Sequence, residues 1–389
     1  MARREFNLPG IQDLSKEQED ARVLPKQGRH LIIGGPGTGK SVLALLRSRR
    51  HQHDKDPYVF LVYNKLLQQA SRQLFGTELC SKQWQAWFIN IFREMTNDAL
   101  PKLDPDKYKW KEIDWGKTLE IIADLASNHG DVKRPFLIID EGQDMPPEFY
   151  LAILNLGFED LYVVADQNQK LEYGRHSNRD EIRCSLSIKL DDVIELKYNY
   201  RNTHPIARLA REFYTGDPAS PPPAFPNKPS AFRPMLVEYK PDYFPKIINR
   251  ILKMADNDPT KLIGVIAPNN VVRERYYDEL NKNMINVKFD NGPPRVVSFK
   301  KDDNHEPLFI EGGIMVINAK ACKGLEFDTV FLADINEYNF WLQIRDEIKC
   351  LFYVMVARAK EKVIMLKEAG KPCLVDAILP QDNEILERK

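Results

Sequence analysis

The stretch Gly34–Ser41 reads GGPGTGKS, with the apolar run HLII (His30–Ile33) before it and VLALL (Val42–Leu46) after it. A β-rich run, a glycine-rich loop and a helix-forming run in that order predict a strand, a tight turn and a helix. The spacing of Gly34, Gly39, Lys40 and Ser41 is that of a phosphate-binding loop. Each residue type has a physical reason. Glycines allow positive φ, so the loop of Gly35, Pro36, Gly37, Thr38 and Gly39 can turn its N–H groups inward around an anion. The helix that begins near Ser41 adds the positive end of its dipole. Lys40 is expected to reach the β- and γ-phosphates of ATP and the Ser41 hydroxyl to ligate Mg2+. A plain glycine-rich turn is the bland alternative, and the flanking strand and helix patterns argue against it.

The chain has 389 residues, which by the usual size prior makes about two domains. Its 56 basic residues balance its 56 acidic ones, which excludes a strongly basic nucleic-acid wrapper and leaves room for a local basic groove. Cys80, Cys184, Cys322, Cys350 and Cys373 are scattered and form no CxxC pair, which suits reduced thiols and a cytoplasmic setting better than a disulfide frame or a zinc site. His51 and His53 in HQH have no partner ligands near them and read as a solvated helix end. No run approaches the ~18 apolar residues of a membrane span.

Short apolar runs alternate with helical patterns along the chain. They are HLIIGG, YVFLVY, PFLIIDE and LYVVAD, then KLIGVIAP, GIMVIN, TVFLADI and KVIMLKE. Such near-continuous runs suit strands buried on both faces of a parallel sheet, so the expected class is α/β in two lobes. The lobes are placed at 1–195 and 196–389, with the Pro-rich stretch 216–234 as an extended connector. A small helical insertion is expected at about 76–130, where Trp84, Trp87, Phe88, Ile91, Phe92 and Met95 recur at helical spacing and read as core.

The apolar strand FLII ends in Asp140-Glu141, within DEGQDM. That order fits a carboxylate that holds magnesium through water, followed by a general base that activates a water molecule. A base aimed at water implies hydrolysis.

These residues resemble a superfamily 1 helicase of the UvrD/Rep type, in the expected order over nearly the whole chain. LSKEQEDA places Gln18 as the adenine-reading glutamine, and YNKLLQQ (Tyr63–Gln69) places Tyr63 and Asn64 where a strand-contacting motif belongs. DEGQD is close to the family's Asp-Glu-x-Gln-Asp, and VVADQNQ ends in Gln169, the γ-phosphate sensor. NYRN places Tyr200 on the adenine and Arg201 at the γ-phosphate. KGLEF puts Glu326 near the ribose, and YVMVARAK carries Arg358 as the second arginine finger. The resemblance implies two RecA-like P-loop NTPase lobes with parallel sheets, ATP and Mg2+ bound in the cleft between them, and a catalytic set of Lys40, Glu141, Gln169, Arg201 and Arg358.

The pattern departs from the family where nucleic acid is gripped. Beyond Gln169 the run QKLEYGR offers Tyr173 for base stacking but no tryptophan. NAKAC has Asn318 and Lys320 where threonine and histidine are usual, and Ala357 stands where threonine is common. The short interval between Pro268 and Lys323 has no room for a large accessory domain. The expectation is a near-minimal motor: an ATP-dependent DNA helicase or single-strand translocase moving 3′ to 5′ on single-stranded or partly duplex nucleic acid, DNA ahead of RNA. With both arginines supplied in cis it can work as a monomer, with no membrane involved. The alternative is a nucleic-acid-sensing ATPase switch that serves a nuclease or other partner in a defence or repair complex without unwinding alone. A small-molecule kinase built on the same loop leaves NYRN, KGLEF and Arg358 without a role.

Overall fold

The computed structural model of the chain describes residues 14–63, 79–104, 112–126, 133–166, 177–215, 221–299, 311–338 and 345–389. Asn64, Gln169 and Tyr173 lie outside the described residues. The described chain divides into two compact units. One takes in Gly39–Leu196 and the chain up to Gly34; the other takes in Lys197–Lys389 and the loop Gly35–Thr38.

The first unit is built on six parallel strands: β1 (Arg29–Gly34), β2 (Tyr58–Val62), β3 (Ser81–Gln83), β4 (Phe136–Ile139), β5 (Leu161–Ala165) and β6 (Ile194–Leu196). Their spatial order is β3-β2-β4-β5-β1-β6. Because β4, β5 and β1 are neighbours and run parallel, the loops at their carboxyl ends lie side by side. That edge is where open α/β sheets bind ligands. β4 and β5 are apolar and buried along their whole length, as strands covered on both faces must be.

The helical stripe at Trp84–Met95 is core. Helix α3 (Trp84–Thr96), third after α1 (Lys16–Val23) and α2 (Lys40–His53), buries Trp84, Trp87, Phe88 and Phe92. Trp84 and Phe88 meet the Phe149 ring edge-on at 5.2 and 5.6 Å, and Trp87 meets Phe158 at 5.4 Å. The insertion is not purely helical, since β3 opens it and pairs in parallel with β2. β3 is three residues of mixed polarity at a sheet edge, too short and too polar for an apolar run to announce it.

The histidine reading needs correction. His53 is solvated at the end of α2, but His51 is 1% exposed, its ring 4.2 Å from that of Phe136 and its Nδ1 3.1 Å from Asp56. Burial pushes its pKa down, so the neutral ring packs in the core.

The second unit carries seven parallel strands: β7 (Met235–Tyr239), β8 (Leu262–Ala267), β9 (Val296–Ser298), β10 (Gly313–Asn318), β11 (Phe327–Leu332), β12 (Ala359–Glu368) and β13 (Glu387–Arg388). Their order is β13-β7-β12-β11-β8-β10-β9. The chain is therefore α/β with two parallel sheets, as two RecA-like lobes require. In the described part of the Pro-rich stretch, Ala224 pairs in parallel with Tyr198, and the Arg211 guanidinium stacks 3.6 Å from the centre of the Phe225 ring. None of the five cysteines forms a disulfide, and among the described residues no helix is long and apolar enough to cross a membrane.

Candidate nucleotide and helicase site

The site of the first unit grows from three strand ends. At the end of β1 the chain turns into α2, whose N-cap Gly39 has φ +93°. That left-handed backbone suits glycine, and a Cβ there would lie 2.5 Å from Gln18 Nε2. Gln18 is brought to this point by α1, which Ser15 caps: Ser15 Oγ accepts from the Gln18 N–H at 3.3 Å and Gln18 Oε1 accepts from the Ser15 N–H at 3.0 Å. Gln18 thus sits beside Gly39, with its amide oriented by the cap.

At the end of β4 the Asp140 carboxylate is hydrogen-bonded to Ser41 and accepts the Glu141 backbone N–H at 3.0 Å. Burial first, and the Glu141 charge second, push its carboxyl up to about 6. Glu141 has φ +55°, unusual for a side chain larger than glycine, and the turn Gly142–Asp144 follows at once. Gln143 Nε2 donates to Glu141 Oε2 at 2.6 Å. At the end of β5 the buried Asp166 carboxylate lies 3.1 Å from Lys40 Nζ.

Ser41 and Asp140 offer a hydroxyl and a carboxylate, oxygen ligands that suit a hard divalent cation. Among the described residues no group of three or more His, Cys, Asp and Glu side chains forms a closed metal cage. Two protein oxygens and an elevated carboxyl fit Mg2+ held jointly with phosphate oxygens.

Within the second unit, Thr38 Oγ1 donates to Gly35 O at 2.8 Å, and the Tyr200 N–H donates to Gly37 O at 2.8 Å. The Tyr200 ring is 50% exposed. The loop after Lys197 is held by its asparagines. Asn199 Oδ1 accepts the backbone N–H of Arg201 and of Asn202, and Asn202 Nδ2 donates to Ala357 O and Ala359 O. Arg201 Nη2 binds Glu326 Oε1, and Arg201 Nη1 donates to Ala357 O at 3.4 Å. Glu326 and Arg358 immediately precede β11 and β12, neighbouring parallel strands, so they stand at the same edge of the sheet.

Residues 295–369, from β9 through β12, match the family model of the UvrD-like helicase C-terminal domain. That segment of the second unit is therefore similar to the C-terminal domain of UvrD-like helicases. Solved structures also match, among them the C-terminal domain of a possible DNA helicase from Lactobacillus strain WCFS1. That structure is 17% identical, covers 49% of this chain and 98% of its own, and aligns with a TM-score of 0.35. No curated protein matches the chain.

Gln18, Gly39, Lys40, Ser41, Asp140 and Glu141 thus gather in the first unit, and Arg201, Glu326 and Arg358 in the second. Lys320 is not with the second group. It is exposed and follows the carboxyl end of β10, the opposite edge of the sheet. Arg358 is 2% exposed, with Nε donating to Val354 O at 3.2 Å. Tyr63 packs half-buried against the core of its unit. Asp166 and Gln143 were missed by the motif reading, although one signal was available: Asp166 ends the apolar run LYVVA as Asp140 ends FLII.

Proposed function

We propose that this DNA-helicase-family chain hydrolyses ATP with Mg2+ and uses the cycle to move along a single strand of DNA, 3′ to 5′. One observation carries the reading: Lys40, Ser41, Asp140 and Glu141 converge at adjacent strand ends of one unit. Lys40 would neutralise the β- and γ-phosphates, and Ser41 and Asp140 would hold Mg2+, which would supply positive charge against the negative charge that develops. Glu141 would take the proton of the attacking water. Gln18 and Tyr200 would hold the base, and Glu326 the ribose. Arg201, Arg358 and Gln169 would meet the γ-phosphate, the guanidinium groups being permanently charged and fork-shaped. Tyr63, Asn64, Tyr173 and Lys320 are proposed to contact the strand. ATP-driven displacement of one strand from partly duplex DNA at low salt tests this reading.

A second reading, a nucleic-acid-sensing switch that serves a nuclease or another partner, is favoured by two features. Arg201 is already paired with Glu326, and Arg358 is buried. Hydrolysis that responds to DNA, with no strand displaced by the chain alone, supports the switch over the motor.

A further inference from the structure

Gln143 is fully buried, and both ends of its amide are used. Nε2 donates to Glu141 Oε2 at 2.6 Å, and Oε1 accepts the Asp166 backbone N–H at 2.8 Å. The opposite amide orientation would set a carbonyl oxygen against the carboxylate and an NH2 group against an N–H, so the chemistry selects one orientation. The turn that carries Gln143 is fixed from below: Tyr150 donates to Gly142 O at 2.6 Å, and a Cβ on Gly142 would lie 2.5 Å from Val163 Cγ1. Beyond Gln143 the chain of contacts continues through Asp166, whose carboxylate, with a side chain 0% exposed, holds the ammonium of Lys40 at 3.1 Å. One continuous polar path therefore joins Lys40, Asp166, Gln143 and Glu141 inside the first unit.

The geometry points to a nucleotide-displaced latch: Asp166 is the counter-ion of Lys40 until phosphate takes the lysine, and Gln143 is a positioning residue that ties this exchange to the aim of Glu141. The inference rests on the nucleotide reading of the site. A buried ion pair must be broken before Lys40 can turn to a phosphate, and a carboxylate left without its cation is costly in such surroundings. The nucleotide therefore binds more weakly than an unlatched Lys40 would allow. When Asp166 is released, its backbone N–H pulls on Gln143 and through it on the Glu141 carboxylate, so the base is aimed only once phosphate is in place.

Two variants test the latch through different readouts. Asp166→Asn keeps the shape and the backbone bond to Gln143 but removes the charge, and it is expected to bind MgADP about tenfold more tightly than wild type. In a Lys40→Ala background the same change is expected to have no effect on affinity. Gln143→Met is expected to lower kcat about 10- to 100-fold with KM within about twofold, as loss of a buried bond to a charged group implies. Wild type that binds MgADP while Asp166→Asn binds equally or more weakly overturns the latch and leaves the nucleotide reading intact. A Gln143→Met variant with raised KM and unchanged kcat overturns the positioning role. Wild type that binds no MgADP overturns the nucleotide reading and the latch with it.

Discussion

Arg201 and Glu326, far apart in sequence, form an ion pair within the second unit, with Arg201 Nη2 donating to Glu326 Oε1. Lys360 stands 3.2 Å from the other carboxylate oxygen. Burial alone would raise the Glu326 carboxyl, but the two cations outweigh it and hold its pKa at about 2. A carboxyl lowered in the folded state stabilises the fold above its ordinary value of 4.5, and that contribution fades as pH falls towards about 2. Wild type is therefore predicted to be more stable than Glu326→Gln at pH 7, with the difference shrinking as pH falls below 4.5. Urea denaturation of both proteins over the acid range in which they stay folded measures this. A difference that is flat with pH contradicts it.

The same pair sets the prediction for Arg201. If this guanidinium leaves Glu326 for the γ-phosphate, Arg201→Ala should lower kcat for ATP by on the order of 10³-fold. MgADP affinity should change little, because the diphosphate lacks the group Arg201 is proposed to meet. Steady-state hydrolysis and MgADP titration of the same preparation check both halves.

Asp140 titrates with the opposite sign. Burial and the Glu141 charge raise its carboxyl from 3.8 to about 6 in the folded protein. Its ionised form therefore costs stability above about pH 6, and the cost fades as pH falls towards 3.8. Asp140→Asn is expected to stabilise the nucleotide-free protein at pH 7, with a gain that diminishes below pH 6, and to abolish Mg2+-dependent hydrolysis. Thermal denaturation against pH, without nucleotide, reads the first effect, and a destabilised variant at pH 7 contradicts it.

Gly39→Ala tests the loop. The new methyl group would meet Gln18 at 2.5 Å in a backbone conformation of φ +93°. A non-glycine residue forced into such backbone costs about 1–3 kcal/mol. The expected result is weaker MgADP binding by at least about tenfold, together with a lower Tm; unchanged affinity would mean the loop does not cradle phosphate.

Much of this was legible in the sequence because the buried parallel strands are written as unbroken apolar runs. FLII and LYVVA show both their position and, through the aspartate that ends each, the edge where chemistry collects. Edge strands carry no such signature. β3 and β13, at the edges of their sheets, are short and mixed in polarity, since one side of each lacks a neighbouring strand. Lys40 could be read from the glycine-rich loop and Asp140 and Glu141 from the end of an apolar strand, whereas Gln18 was legible only through the family resemblance. The Lys40–Asp166 and Arg201–Glu326 pairs could not, because sequence spacing carries no information about which side chains meet across a sheet. His51 misled for a related reason: at the end of a polar helix, only the fold tells whether a histidine turns outward or onto Phe136.

The central claim is that DNA drives hydrolysis through Glu141. Steady-state ATP hydrolysis at low salt, with and without single-stranded DNA, on wild type and Glu141→Gln, tests it most directly. The predicted result is several-fold stimulation of wild type by the strand and loss of hydrolysis in the variant. Wild-type rates that are equal with and without DNA, or a Glu141→Gln variant that hydrolyses ATP as fast as wild type, would contradict it.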